Sequence, residues 1–112
     1  MRQTIVFGKF FWEFYNGCNL KVQSKIDWVI GLVRTLKRVP IEYLKYLEDT
    51  DGLYEIRVSS GNNIYRIFCF FDEGNLIILL NAFQKKSQKT PPNQIKLAEK
   101  LKKEYYEHKI KG

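Results

Sequence analysis

The chain has 112 residues, 45% hydrophobic and 28% charged, with a formal net charge of +7; that is enough sequence for one domain with a core and too little for two. Cys18 and Cys69 are too few for a disulfide framework, one histidine excludes a His-based metal cluster or a Ser/His/Asp arrangement, and no apolar run approaches the ~18 residues of a membrane helix. No signal peptide is visible, because Met1-Arg2-Gln3-Thr4 leads into a strand-like run interrupted by Lys9 and Glu13, so a soluble, cytoplasmic protein with no membrane partner is expected.

In chain order, Thr4 to Tyr15 is rich in β-branched and aromatic residues and reads as an N-terminal strand ending at Asn16-Gly17. Ile26, Val29, Ile30, Val33 and Leu36 then recur at helical spacing, so residues 20 to 36 are expected to form an amphipathic helix ended by Val39-Pro40. Pro40 suits the first turn of a second, short helix in which Tyr43, Leu44 and Leu47 pack inward before Asp49-Thr50-Asp51-Gly52 stops it.

Three strands follow. Leu53 to Val58 and Ile64 to Phe71 flank the turn signal Ser59-Ser60-Gly61-Asn62-Asn63, and Asp72-Glu73-Gly74-Asn75 leads into the third strand, Leu76 to Phe83. The third strand is apolar on both faces for five residues, which marks it as central in the sheet. Beyond Thr90-Pro91-Pro92, the residues Ile95, Ala98, Leu101 and Tyr105 form one apolar stripe of a terminal helix with a lysine-rich outer side. The expected fold is a single α+β domain over residues 1–112, order β-α-α-β-β-β-α, with an antiparallel sheet packed against helices on one face.

The first hairpin carries the most specific signal. A two-residue turn at Gly61-Asn62 places Arg57 opposite Arg66 and Glu55 opposite Phe68, and it sends Tyr54, Ile56 and Val58 with Cys69, Ile67 and Tyr65 to a core-facing side. Like charges opposed across strands cost a few tenths to about 1 kcal/mol. Core packing does not explain that cost, and an anion would. If Glu73-Gly74 centres the second turn, Asn81 falls beside Arg66 and Phe83 beside Ile64, with Lys85 extending the row into Lys86-Ser87-Gln88-Lys89.

The charge is uneven in the same sense. Residues 1–83 hold ten Lys or Arg against nine Asp or Glu, whereas residues 84–112 hold nine Lys against three Glu. Such a field suits a polyanion or a strongly acidic protein segment, although a solvated helix face also favours lysine. The candidate site thus combines Arg57, Arg66, Lys85, Lys86 and Lys89 for phosphates, Phe68 or Phe83 for base stacking, and Glu55 and Asn81 for base edges or a hydroxyl, the ingredients of single-stranded RNA contact. The competing expectation is that Phe68, Phe70, Ile64 and Phe83 are ordinary core under the terminal helix.

Gly52-Leu53-Tyr54-Glu55-Ile56-Arg57, Tyr65-Arg66-Ile67-Phe68 and the block from Leu80 to Pro91 resemble, in this order, the RelE/ParE toxin superfamily in its HigB-like, phage-derived branch. The resemblance implies a type II toxin held inactive by a cognate antitoxin, which the neighbouring frame would encode as a small helix-turn-helix protein. It implies cleavage of messenger RNA, typically in the ribosomal A site, without metal or cofactor: the ribose 2′-hydroxyl attacks its own 3′ phosphate and leaves a cyclic phosphate. By that likeness Arg66 holds the scissile phosphate, Arg57 activates or orients the nucleophile, and Lys86 stabilises developing charge. The chain departs from the family in having Glu55 where relatives carry a lysine, and in lacking their tyrosine after the basic loop. Glu55, Tyr105, Tyr106 and His108 are therefore the candidates for proton transfer. The alternatives are a non-catalytic ParE-like inhibitor of a protein target such as DNA gyrase, or a plain RNA-binding module. Opposed arginines favour the nuclease, since a protein target does not need them.

Overall fold

The computed structural model describes residues 1–111, with side chains described through Ile110. Its elements are β1 (Gln3–Val6), α1 (Phe10–Asn16), α2 (Leu20–Thr35), β2 (Leu44–Tyr46), β3 (Leu53–Ser60), β4 (Asn63–Phe71), β5 (Leu76–Lys85) and α3 (Pro92–Lys111). The five strands form one sheet in the order β1-β5-β4-β3-β2. β1 runs parallel to β5 and every other pair is antiparallel.

Helices cover both faces rather than one. Ile26, Val29 and Val33 of α2, with Phe11 of α1, pack on Ile56, Val58, Tyr65, Ile67, Cys69 and Leu79. Ala98 and Leu101 of α3 pack on Leu53, Phe68, Phe70, Ile78, Leu80 and Phe83 across the sheet. β5 lies between β1 and β4 with Ile77 to Leu80 all buried, the central position its two-sided apolarity predicts. Cys69 is a fully buried small hydrophobe, and burial pushes its thiol well above its usual range.

Two segments differ from expectation. The N-terminal strand stops at Val6, because Gly8 turns the chain at φ +81°. Phe11, Phe14 and Tyr15, at helical spacing, then bring their rings onto the α2-side core, so the aromatic run from Phe10 to Asn16 is α1. Aromatic β-propensity was overridden by packing. The second correction concerns residues 40–47. Pro40 starts only one turn, its carbonyl accepting from the Tyr43 and Leu44 amides, and the chain then extends to pair Leu44–Tyr46 with Tyr54–Ile56. The open edge of β3 supplies hydrogen bonds that three apolar side chains on a short helix could not match. The expected pair of helices therefore exists, but as 10–16 and 20–35.

At the far end of the sheet Asp72 ties α3 down. Its Oδ2 accepts from the Tyr105 hydroxyl at 2.6 Å and from Lys109 Nζ at 2.9 Å. These bonds, led by the tyrosine, hold the carboxyl down at about 2 and push Tyr105 up to about 12. A carboxylate whose folded value is depressed stabilises the fold above its unfolded value, near 4, and loses that contribution as pH falls towards 2. Discounted for solvent screening, the effect is about 1 kcal/mol. In urea unfolding between pH 7 and pH 2, Asp72→Asn should be less stable than the wild type at neutrality, and the gap should close in acid; parallel curves would exclude this clamp.

Candidate functional site

The β3–β4 hairpin has the expected register. Gly61-Asn62 is the two-residue turn, with Gly61 at φ +61°, and Arg57 stands opposite Arg66, Glu55 opposite Phe68 and Ile56 opposite Ile67. The second hairpin departs from expectation twice. Its loop holds three residues, Glu73-Gly74-Asn75, closed by the Asp72 amide donating to the Leu76 carbonyl, which moves the register by one and pairs Phe71 with Ile77. Between Ile67–Ala82 and Cys69–Leu79 a bulge then inserts one more residue, so that Leu80 and Asn81 together oppose Phe68. The two shifts restore the original alternation. Asn81, Phe83 and Lys85 do share the Arg66 face, but Arg66 is opposite Phe83, not Asn81, and Ile64 is opposite Lys85.

Within this face one carboxylate serves two guanidiniums. Glu55 Oε2 lies 3.4 Å from Arg57 Nε and 3.6 Å from Arg66 Nε. Glu55 and Arg66 are each only 5% exposed, whereas the Arg57 side chain is 29% exposed. Arg57 Nη1 donates to the Ile41 carbonyl at 3.4 Å and Arg66 Nη1 to the Tyr65 carbonyl at 3.1 Å. Arg66 Nε, fully enclosed, has no hydrogen-bond partner among the described residues, its distance to Glu55 being too long for one. The pair is thus half-neutralised, with an orphaned donor.

Burial pulls the Arg66 guanidinium below its ordinary value, Glu55 opposes that and Arg57 adds to it. Lys85 is lowered as well, first by burial and then by the Arg66 charge, with Glu55 opposing and Arg57 and Lys45 contributing. Neighbouring cations thus add to the cost of keeping Arg66 and Lys85 charged, which an arriving anion would relieve. Beside Arg66 opens a cavity of about 390 Å³ lined by Ile64, Arg66, Lys85, Lys86, Ser87 and Gln88. Lys86 and Lys89 are exposed in the loop after β5.

Other expected contributors are not available at this surface. Phe68 is fully buried and Phe83 is 7% exposed, their rings packed edge to face at 5.2 Å under α3, so neither offers a face for base stacking. Asn81 is 1% exposed and donates its amide to the Gln94 carbonyl at 3.1 Å and to Gln94 Oε1 at 3.0 Å, which commits it to docking α3. Tyr105 is bound to Asp72, six residues along β4 from Arg66, roughly 20 Å at strand rise. Tyr106 packs on Phe70 and His108 against Phe7, at the same end of α3. Of the proton-transfer candidates only Glu55 touches the arginines.

One residue at the site escaped sequence reasoning. Lys45, exposed on β2, is the cross-strand partner of Glu55 and so shares its face. Reading residues 40–47 as helix hid it; alternation of Leu44 and Tyr46 around Lys45 was the available signal. Among the described residues no three or more His, Cys, Asp and Glu side chains gather where they could hold a metal ion. No helix of the described residues is long and apolar enough to cross a membrane.

Fold and site together define a small α+β protein with a cluster of cations around one carboxylate on its sheet. The family model described as Phage derived protein Gp49-like (DUF891) matches residues 13–103, and the chain belongs to this RelE-toxin-like family. No curated protein matches the chain.

Proposed function

We propose that this protein is the toxin of a type II toxin–antitoxin pair, in the HigB-like branch, and an endoribonuclease that cuts messenger RNA, with the ribosomal A site as its place of action. The observation that carries the reading is the Arg57–Arg66 pair: opposed on adjacent strands, sharing the single Glu55 carboxylate, and leaving Arg66 Nε unpartnered beside an open cavity. The fold bears the like-charge cost, and a backbone phosphate would remove it.

In-line transesterification needs positioned cations more than a distinctive nucleophile. Arg66 and Arg57 hold the scissile phosphate and its developing charge, and Lys85 and Lys86 line the side from which the leaving group departs. The 2′-oxygen forms a bond to phosphorus as the bond from phosphorus to the 5′-oxygen breaks. Glu55, the one carboxylate beside the arginines among the described residues, takes the 2′-hydroxyl proton. A lysine of the loop returns a proton to the 5′-oxygen. No metal or cofactor enters this scheme. The cognate antitoxin, an acidic or helix-turn-helix protein, would silence the site by covering the basic face.

Primer extension on cellular messages after brief expression tests the proposal. Breaks linked to codons are expected; intact messages accompanied by damaged DNA would replace the nuclease by an inhibitor of a protein target such as DNA gyrase.

A further inference from the structure

The short strand β2 adds one side chain to the arginine face. Its residues alternate across the sheet: Leu44 packs against the α2-side core, and the Tyr46 ring meets that of Tyr54 edge to face at 5.3 Å. Lys45, between them, is exposed and has Glu55 as its cross-strand partner. A lysine opposite a glutamate on adjacent strands is an ordinary stabilising pair. Here that pair is not made. Glu55 Oε2 is turned to Arg57 at 3.4 Å and Arg66 at 3.6 Å, and among the described residues no carboxylate lies within 4.0 Å of Lys45, not even those of Glu42 and Glu48 three residues to either side. Edge strands also carry lysine to discourage pairing with other chains. That device works on either face, and only one face holds the arginines.

Across this face the cations fall on four successive strands: Lys45 on β2, Arg57 on β3, Arg66 on β4 and Lys85 on β5. At ~4.8 Å per strand the row spans roughly 14 Å, more than one phosphate group can occupy. The charge on Lys45 is felt at the far end of the row: after burial and Arg66, and with Glu55 opposing, Arg57 and Lys45 add to the lowering of Lys85. The row also has a direction. In the reaction proposed above, Lys85 and Lys86 flank the leaving group, Arg57 and Arg66 the scissile phosphate, and Glu55 the attacking ribose. Lys45 is the next cation beyond Glu55, and the next anion in an RNA strand beyond that ribose is its own 5′ phosphate.

We propose that Lys45 binds the phosphate on the 5′ side of the nucleotide whose 2′-hydroxyl attacks, so that the site grips two successive phosphates with Glu55 beneath the ribose between them. The assignment rests on the cleavage reading for its polarity. A contact on each side of the ribose fixes the attacking oxygen over Glu55 and in line with the leaving oxygen, the positioning that transesterification needs. The substrate is accordingly a linkage preceded by a phosphate, and a strand that begins with a free 5′-hydroxyl at that nucleotide is held by one grip instead of two.

The test compares the full chain with Lys45→Gln and with Lys21→Gln, an exposed lysine of α2 across the sheet. The probes are three dinucleotides whose first ribose is 2′-deoxy, so that none can be cut: one with free ends, one with a 5′ phosphate and one with a 3′ phosphate. Their Kd values are read by nuclear magnetic resonance titration over a series of salt concentrations. The 5′ phosphate should strengthen binding to the wild type, and Lys45→Gln should lose about three- to fivefold on that probe alone. Its log–log salt slope there should flatten by about 0.7, the value for one phosphate of a single strand. The other two probes, and the Lys21→Gln control, should bind as the wild type does. A 5′-phosphate gain that survives in Lys45→Gln would overturn the proposal, as would an equal loss on all three probes. The cleavage reading fails separately: if Arg66→Ala still cuts messages while the 5′-phosphate gain depends on Lys45, the cutting site falls and the phosphate contact stands.

Discussion

Replacing Arg66 by alanine is expected to abolish growth inhibition while leaving the protein folded. Arg66 is the buried member of the pair, its Nε enclosed without a hydrogen-bond partner among the described residues, and it borders the cavity that Lys85 and Lys86 also line. In the proposed reaction its guanidinium meets charge that grows on the phosphate, and removing one such donor typically costs about 2.7–4 kcal/mol, a factor of about 10²–10³ in rate. Stability should change little, because Arg57 stays 3.4 Å from Glu55 and keeps that buried carboxylate paired, while the substitution removes the desolvation cost of the Arg66 guanidinium and its repulsion from Arg57. Arg66→Lys should rescue only weakly, since an ammonium cannot reproduce a two-pronged grip on phosphate. The measurements are growth on induction, message cleavage, and circular dichroism with thermal unfolding; a folded Arg66→Ala protein of full toxicity would remove the site.

The largest stability effect is expected at Phe70 rather than at any charged residue. Phe70 is 1% exposed, its ring 5.3 Å from Tyr105 and 5.5 Å from Tyr106, with Lys102 above it. It joins β4 to the C-terminal half of α3, so truncation removes both its own burial and the floor beneath two tyrosines. Phe70→Ala should cost about 3–5 kcal/mol, a fall in Tm of roughly 10–25 °C for a chain of this size. Phe70→Leu, which refills most of the volume, should recover over half of that loss. Differential scanning calorimetry decides it: a drop under ~5 °C for the alanine variant would mean that α3 is held by other contacts.

Both predictions depend on features with different origins. The opposition of Arg57 and Arg66 was legible in the chain, because a two-residue Gly-Asn turn and strict alternation leave one register for the hairpin. The same reasoning misplaced Asn81, since neither the three-residue loop after Asp72 nor the bulge at Leu80–Asn81 has a local signal strong enough to count residues by. The basic character of the site survived because two one-residue shifts cancel in parity. Its aromatic character did not: α3 covers Phe68 and Phe83, and only docking decides which face of a two-sided apolar sheet stays open.

What the amino-acid order settled alone is local and periodic: the α2 and α3 stripes, the first hairpin, the central position of β5 and the charge gathered after residue 84. These follow from spacing and turn chemistry within a dozen neighbours. Long-range competition decided the rest. An aromatic run became α1 because its rings found the α2-side core, and residues 44–46 became a strand because β3 offered an unpaired edge. Only in three dimensions does one glutamate stand between two arginines, because the distance from Glu55 to Arg66 is set by strand pairing and the packing of α3 rather than by sequence separation.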